Sequence, residues 1–165
     1  MKGKRYLRAI RHPTLVLKHI KRKISNFIVF FIDDRNLMYE TTVFGPEERL
    51  KIKEDNLYKP MLINTMSGEV VIENDVMLGH NVSLLTGIHD YRKKGTEGRP
   101  TITDAERDII IQDGAWVASN CTIIGPCTIG KNSVIAAGSV VVDNVEAGCL
   151  YAGNPAEKIK PIDFD

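Results

Sequence analysis

The fold of this chain is decided by residues 111–146, which read IQDGAW VASNCT IIGPCT IGKNSV IAAGSV VVDNVE when they are written in sixes. Residues 72–89 follow the same pattern as IENDVM LGHNVS LLTGIH. The first position of all nine hexads is aliphatic, and the fifth is mostly small or β-branched. A period of six does not fit an α-helix, in which apolar residues recur every three or four positions.

The fourth position of the hexads predicts where the backbone turns. Eight of the nine residues there are Gly, Asn or Asp, and the ninth is Pro126. Gly, Asn and Asp tolerate a positive φ, so we expect a left-handed backbone turn in each hexad. Short strands between such turns stack into a parallel β-solenoid, and the hexads therefore predict an all-β fold of this kind.

Length and composition limit the chain to one domain with one appendage. It has 165 residues, of which 43% are hydrophobic, enough to bury a core without a disulfide or metal. Residues 1–32 hold nine Lys or Arg and no acid, whereas the other 133 residues hold 13 bases and 21 acids. We therefore divide the chain into a basic arm, residues 1–40, and a body, residues 41–165.

The arm has the pattern of a basic amphipathic helix. Pro13 can open a helix, and apolar residues then recur at helical spacing at Leu17, Ile20, Ile24, Phe27, Ile28 and Phe31. Such a stripe most often docks on its own domain, but residues 13–32 also suit an anionic membrane surface. Nucleic-acid binding is not expected, because the body is acidic and lacks a recognition motif.

No segment predicts export or a membrane span. The apolar run from Phe27 to Ile32 is too short to cross a bilayer and lacks the features of a secretory signal. Cys121, Cys127 and Cys149 do not form a disulfide framework, and the first two occupy fifth positions as small hydrophobic residues. We therefore expect a cytoplasmic protein, with the inner face of the membrane as a further location.

Four segments resemble the hexapeptide-repeat acyltransferases, in the branch of the galactoside, maltose and xenobiotic acetyltransferases. They are TGIHD at residues 86–90, GAWVAS at 114–119, IAAGSVV at 135–141 and YAGNPA at 151–156. The resemblance covers roughly residues 60–160. It implies a left-handed parallel β-helix, acetyl-CoA as acyl donor, and a homotrimer with active sites at the subunit interfaces.

The resemblance implies that His89 is the catalytic general base. Acyl transfer needs a group that accepts the proton of the incoming hydroxyl or amine, and histidine titrates near neutral pH. A lone histidine is ordinarily a surface residue, so the catalytic role depends on the Thr-Gly-Ile-His-Asp context. Asp90 would organise either the turn or the histidine.

The resemblance also implies a groove for the acyl carrier. Ser119 matches a position whose backbone amide meets the acetyl carrier, and Ala137 matches one that lines the pantetheine arm. Trp116 and Ala118 belong to the same groove. Packing in the coil or in a trimer interface would equally explain the tryptophan and the small residues.

The residues expected to bind phosphate and the acceptor match the family's positions less closely. Lys160 matches a basic position of the family directly and Lys158 approximately, so both are expected to bind the phosphates of coenzyme A. Asn64 is near the family's acceptor-binding asparagine but out of register. A zinc site is not predicted, because about three histidines would have to converge and the body holds His80 and His89 alone.

Residues 90–110 interrupt the hexads. This segment contains Gly95, Gly98 and Pro100, so it is either a tolerated surface insertion or a loop that closes the active site. The resemblance favours the second interpretation, since family members extend a loop here towards a neighbouring subunit.

The expected function is O-acetylation of a sugar or polysaccharide hydroxyl by direct transfer. Acetylation of an amino sugar or of an antibiotic hydroxyl, and a catalytically silent scaffold, are the alternatives.

Overall fold

The computed structural model describes residues 41–53, 56–58, 60–98, 100, 102 and 106–164. Short strands are the main regular secondary structure of this part of the chain. The predicted arm and its amphipathic helix lie outside the described residues, so both stay predictions. No helix in the described part is long and apolar enough to cross a membrane.

The strands form three sheets. Sheet A contains β1 (Thr42–Phe44), β4 (Leu62–Asn64), β7 (Ser83–Leu85), β10 (Thr122–Ile124) and β13 (Val140–Val141). Sheet B contains β2 (Leu50–Ile52), β5 (Val70–Ile72), β8 (Ile109–Ile111) and β11 (Cys127–Ile129). Sheet C contains β3 (Leu57–Tyr58), β6 (Met77–Leu78), β9 (Trp116–Val117), β12 (Val134–Ile135), β14 (Cys149–Gly153) and β15 (Ala156–Pro161).

The chain visits sheets A, B and C in turn, so that three strands make one coil of a solenoid. Thr122 in β10 pairs in parallel with Val140 in β13, 18 residues later, as three hexads predict. A 3-10 turn (Glu47–Arg49) and a short helical turn, α1 (Gly95–Gly98), lie between strands. At the C-terminal end, β15 runs antiparallel to β14 and covers that edge of sheet C.

The core confirms the inward positions of the hexads. All nine first-position side chains are at most 2% exposed. The fifth positions are buried as well, except Ile88, which is half-buried. Because each coil covers the next, the aliphatic side chains form continuous columns inside the three sheets.

The corners of the coils confirm the predicted left-handed turns on two edges of the solenoid. We name the edges A–B, B–C and C–A after the sheets that they join. Six fourth-position residues have a positive φ: Asp75, Gly114 and Asn132 on the B–C edge, and Asn81, Asn120 and Gly138 on the C–A edge.

The prediction was wrong on the A–B edge, where Gly87, Pro126 and Asn144 do not have a positive φ. The proline ring restricts Pro126 to a negative φ. Asn144 instead uses its side chain, since its Oδ1 accepts a hydrogen bond from Thr128 N at 2.8 Å. The A–B edge therefore turns differently from the other two.

The interruption of the hexads lies two residues earlier than the sequence predicted. Ser83 pairs with Thr122, 39 residues later, so this coil contains 21 more residues than the next one. Ile109 pairs with Cys127 in sheet B and is fully buried, which places Ile109 where Ile88 would continue the coil. The insertion thus spans residues 88–108, because Ile109 and not Ile88 fills the core.

Candidate active site

His89 lies on the A–B edge, at the point where the insertion leaves the solenoid. The preceding turn is held by Asn64 at the end of β4, whose Oδ1 accepts hydrogen bonds from Met66 N at 2.9 Å and Gly87 N at 3.1 Å. His89 is exposed, and its backbone bridges antiparallel to Ile102 within the insertion. The imidazole is therefore presented to solvent from a fixed turn.

The side chain of Asp90 organises the turn that follows His89. Its Oδ1 accepts hydrogen bonds from Arg92 N at 3.1 Å and Arg92 Nε at 2.9 Å, and its Oδ2 accepts one from Arg92 Nη2 at 3.3 Å. The hydrogen bond from the Arg92 side chain lowers the pKa of Asp90. Of the two roles expected for Asp90, these contacts correspond to that of a turn residue.

The other end of the insertion is tied to the same edge. Arg107 Nε donates a hydrogen bond to Thr86 O at 2.9 Å, and Arg107 N donates one to Ser67 O at 3.1 Å. Arg107, one residue before the end of the insertion, is therefore held beside Thr86, three residues before His89.

Ser119 and Ala137 lie in a column on the C–A edge, above His80 of the preceding coil. Ser119 Oγ accepts a hydrogen bond from His80 N of the coil before it, at 3.2 Å. Ala137 occupies the equivalent position one coil after Ser119, but its methyl side chain cannot accept a hydrogen bond from Ser119 N. Within the described residues, neither Ser119 N nor Ala137 N donates a hydrogen bond. The edge therefore carries two backbone N–H groups without a hydrogen-bond partner in the described part of the chain, while Ala118 N donates to Ile135 O at 2.9 Å.

Gly79 allows the coils to approach closely beside these donors. A Cβ at residue 79 would lie 2.5 Å from Ser119 N and 2.8 Å from Ser119 Oγ. A larger residue would thus displace Ser119. No motif in the sequence points to Gly79. The only signal is that the corresponding residues of the next two coils, Ala118 and Ala136, are small as well.

Trp116 projects from the outer face of sheet C. It pairs with Met77 on one side and Val134 on the other, and 43% of its surface is exposed. The tryptophan is not part of the core of this chain. It forms an apolar wall on the strand that leads into the C–A edge, three residues before Ser119.

Lys158 and Lys160 lie on β15 at the C-terminal end of sheet C. Lys158 Nζ donates a hydrogen bond to Glu146 Oε2 at 2.6 Å, which raises the pKa of Lys158. Lys160 is exposed and pairs in register with Leu150. Lys160 is therefore the better placed of the two cations for an added phosphate.

The candidate residues of one chain fall into two separate groups. His89 belongs to the A–B edge, whereas Ser119 and Ala137 belong to the C–A edge, with Trp116 on the adjoining sheet. The width of sheet A, six residues from Asn81 to Gly87, separates the two edges by about 20 Å. We call these groups the histidine half-site and the amide half-site.

The part of the chain that the structure describes contains no group of three or more His, Cys, Asp or Glu that could hold a metal ion. Its cysteines are buried free thiols, and burial raises the pKa values of Cys121 and Cys127, the latter to about 12. These two thiols are protonated near neutral pH, which makes them poor nucleophiles.

Comparisons with known sequences agree with the hexads. A family model described as bacterial transferase hexapeptide (six repeats) matches residues 108–143. The galactoside O-acetyltransferase of Lactococcus lactis is 30% identical over 103 residues, 58% of this chain and 46% of that protein. Serine acetyltransferase 4 of Arabidopsis thaliana is 35% identical over 105 residues, 64% of this chain and 27% of that protein. The chain spans about half, or less, of the length of the curated relatives it matches.

A solved structure has a fold similar to that of this chain. A galactoside acetyltransferase in complex with coenzyme A superposes with a TM-score of 0.60 at 24% identity, over 73% of this chain and 59% of that one. Together with the family match, this likeness confirms the predicted left-handed parallel β-helix.

Proposed function

We propose that this chain, which belongs to the hexapeptide-repeat acetyltransferases, transfers the acetyl group of acetyl-CoA to a hydroxyl group of a saccharide. The observation that carries the proposal is the exposed His89 on a turn held by Asn64 and Arg107, together with two backbone donors on another edge of the same solenoid. The named activities of the relatives support the acetyl-transfer part of it.

In the proposed mechanism His89 acts as general base. The imidazole accepts the proton of the acceptor hydroxyl while that oxygen attacks the thioester carbonyl. The tetrahedral intermediate then expels the thiolate of coenzyme A, which takes the proton back from His89. A positioned base of this kind contributes about 10²–10⁴-fold to a rate.

The amide half-site would hold the acyl donor. Ser119 N and Ala137 N can donate hydrogen bonds to the pantetheine arm or to the carbonyl oxygen on which negative charge develops. A backbone donor aimed at such an oxyanion is worth about 3 kcal/mol. Trp116 would form the wall of this groove, and Lys160 would pair with a phosphate of coenzyme A.

A homotrimer would bring the two half-sites together. One chain keeps them about 20 Å apart, too far for His89 to act on a thioester bound at Ser119 of the same subunit. In a cyclic trimer the A–B edge of one subunit can face the C–A edge of the next, so that each interface contains one complete site.

The acceptor atom separates the proposed function from its alternatives. A hydroxyl is favoured by the likeness to a galactoside O-acetyltransferase, but the general base would also serve an amine, which gives acetylation of an amino sugar as the second candidate. A silent scaffold would not need an exposed histidine at the start of the insertion.

The decisive experiment measures thiol release from acetyl-CoA with a panel of sugars and amino sugars, for the wild type and His89→Ala. We expect acceptor-dependent release that falls by about 10²–10⁴-fold in the variant, because the hydroxyl loses its proton acceptor. Acetyl-CoA affinity should change less than about threefold, since the amide half-site is on another edge.

Three results would count against the proposal. Acceptor-dependent release that survives in His89→Ala would assign the base elsewhere. Failure of the wild type both to bind acetyl-CoA and to release thiol would support the scaffold. Transfer to amines alone, established by mass spectrometry of the product, would replace the O-acetyltransferase by the N-acetyltransferase.

A further inference from the structure

His80 belongs to the same column of corner residues as the amide half-site. The column runs along the C–A edge through equivalent positions of successive coils: Pro60, His80, Ser119 and Ala137. The carbonyl oxygens of the first three each accept a hydrogen bond from a backbone N of the next coil, at 3.2, 2.8 and 3.0 Å. Because this hydrogen bond repeats, His80 is related to Ser119 as Ser119 is to Ala137.

The side chains of this column change from small to large at His80. Ala137 and Ser119, with Ala136 and Ala118 beside them, are small, whereas His80 is exposed and carries an imidazole. His80 N also donates a hydrogen bond to Ser119 Oγ at 3.2 Å, which joins the two corners directly. The groove proposed for the acyl donor therefore has a histidine at one end.

The order of residues along the solenoid indicates which end of the acyl donor approaches His80. Lys160 lies on β15, beyond β14 at the C-terminal end of sheet C. In the proposed function Lys160 holds a phosphate and the amides of Ala137 and Ser119 hold the pantetheine arm, so the thioester lies at the end of the groove away from Lys160. His80 is the next corner in that direction, about 5 Å beyond Ser119, because this is the spacing of adjacent strands.

His89 of an adjoining subunit would reach the same level of the groove. A cyclic trimer involves no translation along its axis, so solenoids that stand side by side bring residues of equal height together. His89 leaves the coil directly after β7, which begins three residues after His80, and Ser119 follows β9. The height of His89 along the solenoid is therefore between the heights of His80 and Ser119.

An imidazole at this place suits an acceptor with several hydroxyl groups. One ring nitrogen of a neutral histidine donates a hydrogen bond and the other accepts one, so a hydrogen bond within the chain at one nitrogen leaves the other for a ligand. The reacting hydroxyl lies between His89 and the thioester at Ser119. Because the pantetheine arm fills the groove towards Lys160, the rest of the sugar ring extends towards His80.

We propose that His80 binds the acceptor, and that its imidazole forms a hydrogen bond with a hydroxyl next to the one that gives its proton to His89 of the adjoining subunit. This inference rests on the proposed function and adds a substrate-binding residue to it. The acceptor is then a saccharide with two neighbouring hydroxyls and not a simple alcohol.

The first test separates acceptor binding from the other steps of the thiol-release assay. In His80→Ala we expect the KM for the best acceptor of the sugar panel to rise about three- to tenfold, the cost of one lost hydrogen bond. The kcat should stay within about threefold and the KM for acetyl-CoA within about twofold. His80→Asn, whose amide donates and accepts, should recover part of the loss, whereas His80→Phe should not.

Lys131→Ala is the matched control. Lys131 is exposed and occupies the third position of its hexad, as His80 does, but on the B–C edge. Both KM values should therefore stay at those of the wild type.

The second test removes the hydroxyl instead of the histidine. The best acceptor is compared with its monodeoxy analogues, for example galactose with the deoxygalactoses. With the wild type, the analogue that lacks the hydroxyl next to the acetylated one should lose about three- to tenfold in kcat/KM. With His80→Ala, the same analogue should equal the parent sugar, because the two changes remove one interaction.

Mixed trimers show which subunit supplies His80. In equal mixtures of His80→Ala and His89→Ala subunits, about one interface in four combines His80 of one subunit with His89 of the next. Acceptor saturation should then show the KM of the wild type and that of His80→Ala in about equal amounts. The KM of His80→Ala alone would place both histidines of a site in one subunit and overturn the inference.

Three results from the single variants would overturn the inference and leave the proposed function intact. They are an unchanged KM for the acceptor in His80→Ala, a rise in the KM for acetyl-CoA alone, and equal losses in His80→Ala and His80→Asn together with a lowered Tm, which would assign His80 to the structure of the corner. No transfer to any acceptor by the wild type would overturn the proposed function, and this inference with it.

Discussion

At the scale of single residues, the buried fifth position of the hexads accepts both apolar and polar side chains. The fifth position holds Val82, Ala115, Cys127 or Ser133, all of them buried. The serine fits because its hydroxyl satisfies the backbone of its own corner: Ser133 Oγ donates to Gly130 O at 2.6 Å. Burial of a polar atom at such a position is tolerated where this hydrogen bond forms.

Ser67 is a buried serine without this arrangement, and its substitution should stabilise the protein. Its Oγ has no hydrogen-bond partner among the described residues. We expect Ser67→Ala to raise the free energy of unfolding by about 1 kcal/mol, because an unsatisfied buried hydroxyl is removed. Ser133→Ala is the matched control and should lower it by about 1 kcal/mol. Urea unfolding measures both, and destabilisation by Ser67→Ala would show that its hydroxyl has a partner.

Cys127 should make stability depend on alkaline pH. Burial raises its pKa from 9.0 to about 12, so the folded chain keeps a proton that the unfolded chain releases. The contribution is complete below pH 9 and is lost as pH rises towards 12. Relative to Cys127→Val, we expect the wild type to lose roughly 1 kcal/mol between pH 8 and pH 10 in urea unfolding. Parallel pH profiles of the two proteins would contradict the burial of this thiol.

At the scale of elements, the insertion is separable from the coil that it interrupts. Ile109 pairs with Val70 and Cys127 in sheet B, so the solenoid continues after residue 108 as though nothing intervened. The interruption falls on the A–B edge, where the fourth-position residues Gly87, Pro126 and Asn144 lack the positive φ of those on the other two edges. The edge that turns differently is thus the one from which the insertion departs.

Removal of residues 88–108 should leave a folded solenoid without activity. Joining Gly87 to Ile109 restores a coil with the spacing of the next one, because Cys127 follows Pro126 in the same way. We expect cooperative thermal unfolding, a free energy of unfolding within about 2 kcal/mol of the wild type, and no acetyl transfer, since His89 is absent. Removal of residues 88–107 is the control: one extra residue shifts the register and should destabilise the coil severely. Equal stability of the two deletions would contradict the assigned boundaries.

At the scale of the whole molecule, the arrangement of the half-sites makes one subunit insufficient for the proposed reaction. Sheet A separates His89 from Ser119 by about 20 Å, and strands this short and flat offer no hinge by which the edges could meet. The exposed Trp116 and Met77 on sheet C add apolar surface that an adjoining subunit would cover.

Mixed trimers provide the test at this scale. His89→Ala lacks the histidine half-site, and Ala137→Glu places a charged side chain in the amide half-site at an exposed position. Each variant alone should be nearly inactive, but subunits mixed in equal amounts after denaturation and refolding should recover about a quarter of the wild-type activity, since one interface in four pairs two intact half-sites. Light scattering verifies the trimer. No recovery, with trimers formed, would place both half-sites within one subunit.

The hexads by themselves determined the solenoid, its inward columns and the corners of the B–C and C–A edges. This was possible because those features depend on local chemistry: an aliphatic residue every sixth position, and Asn, Asp or Gly where φ is positive. The resemblance of the TGIHD, GAWVAS and IAAGSVV segments likewise predicted His89, Ser119 and Ala137 as site residues.

The tertiary structure alone decided which residue re-enters the core and which groups lie on the same edge. Ile88 and Ile109 are both aliphatic, and only the pairing of β8 with β5 and β11 shows that Ile109 is the one in the coil. The hydrogen bond that Asn64 Oδ1 accepts from Gly87 N, and the close approach of Gly79 to Ser119, depend on stacking between coils. Contacts of this kind join residues distant in sequence, so their register is set by how the coils pack and not by any local pattern.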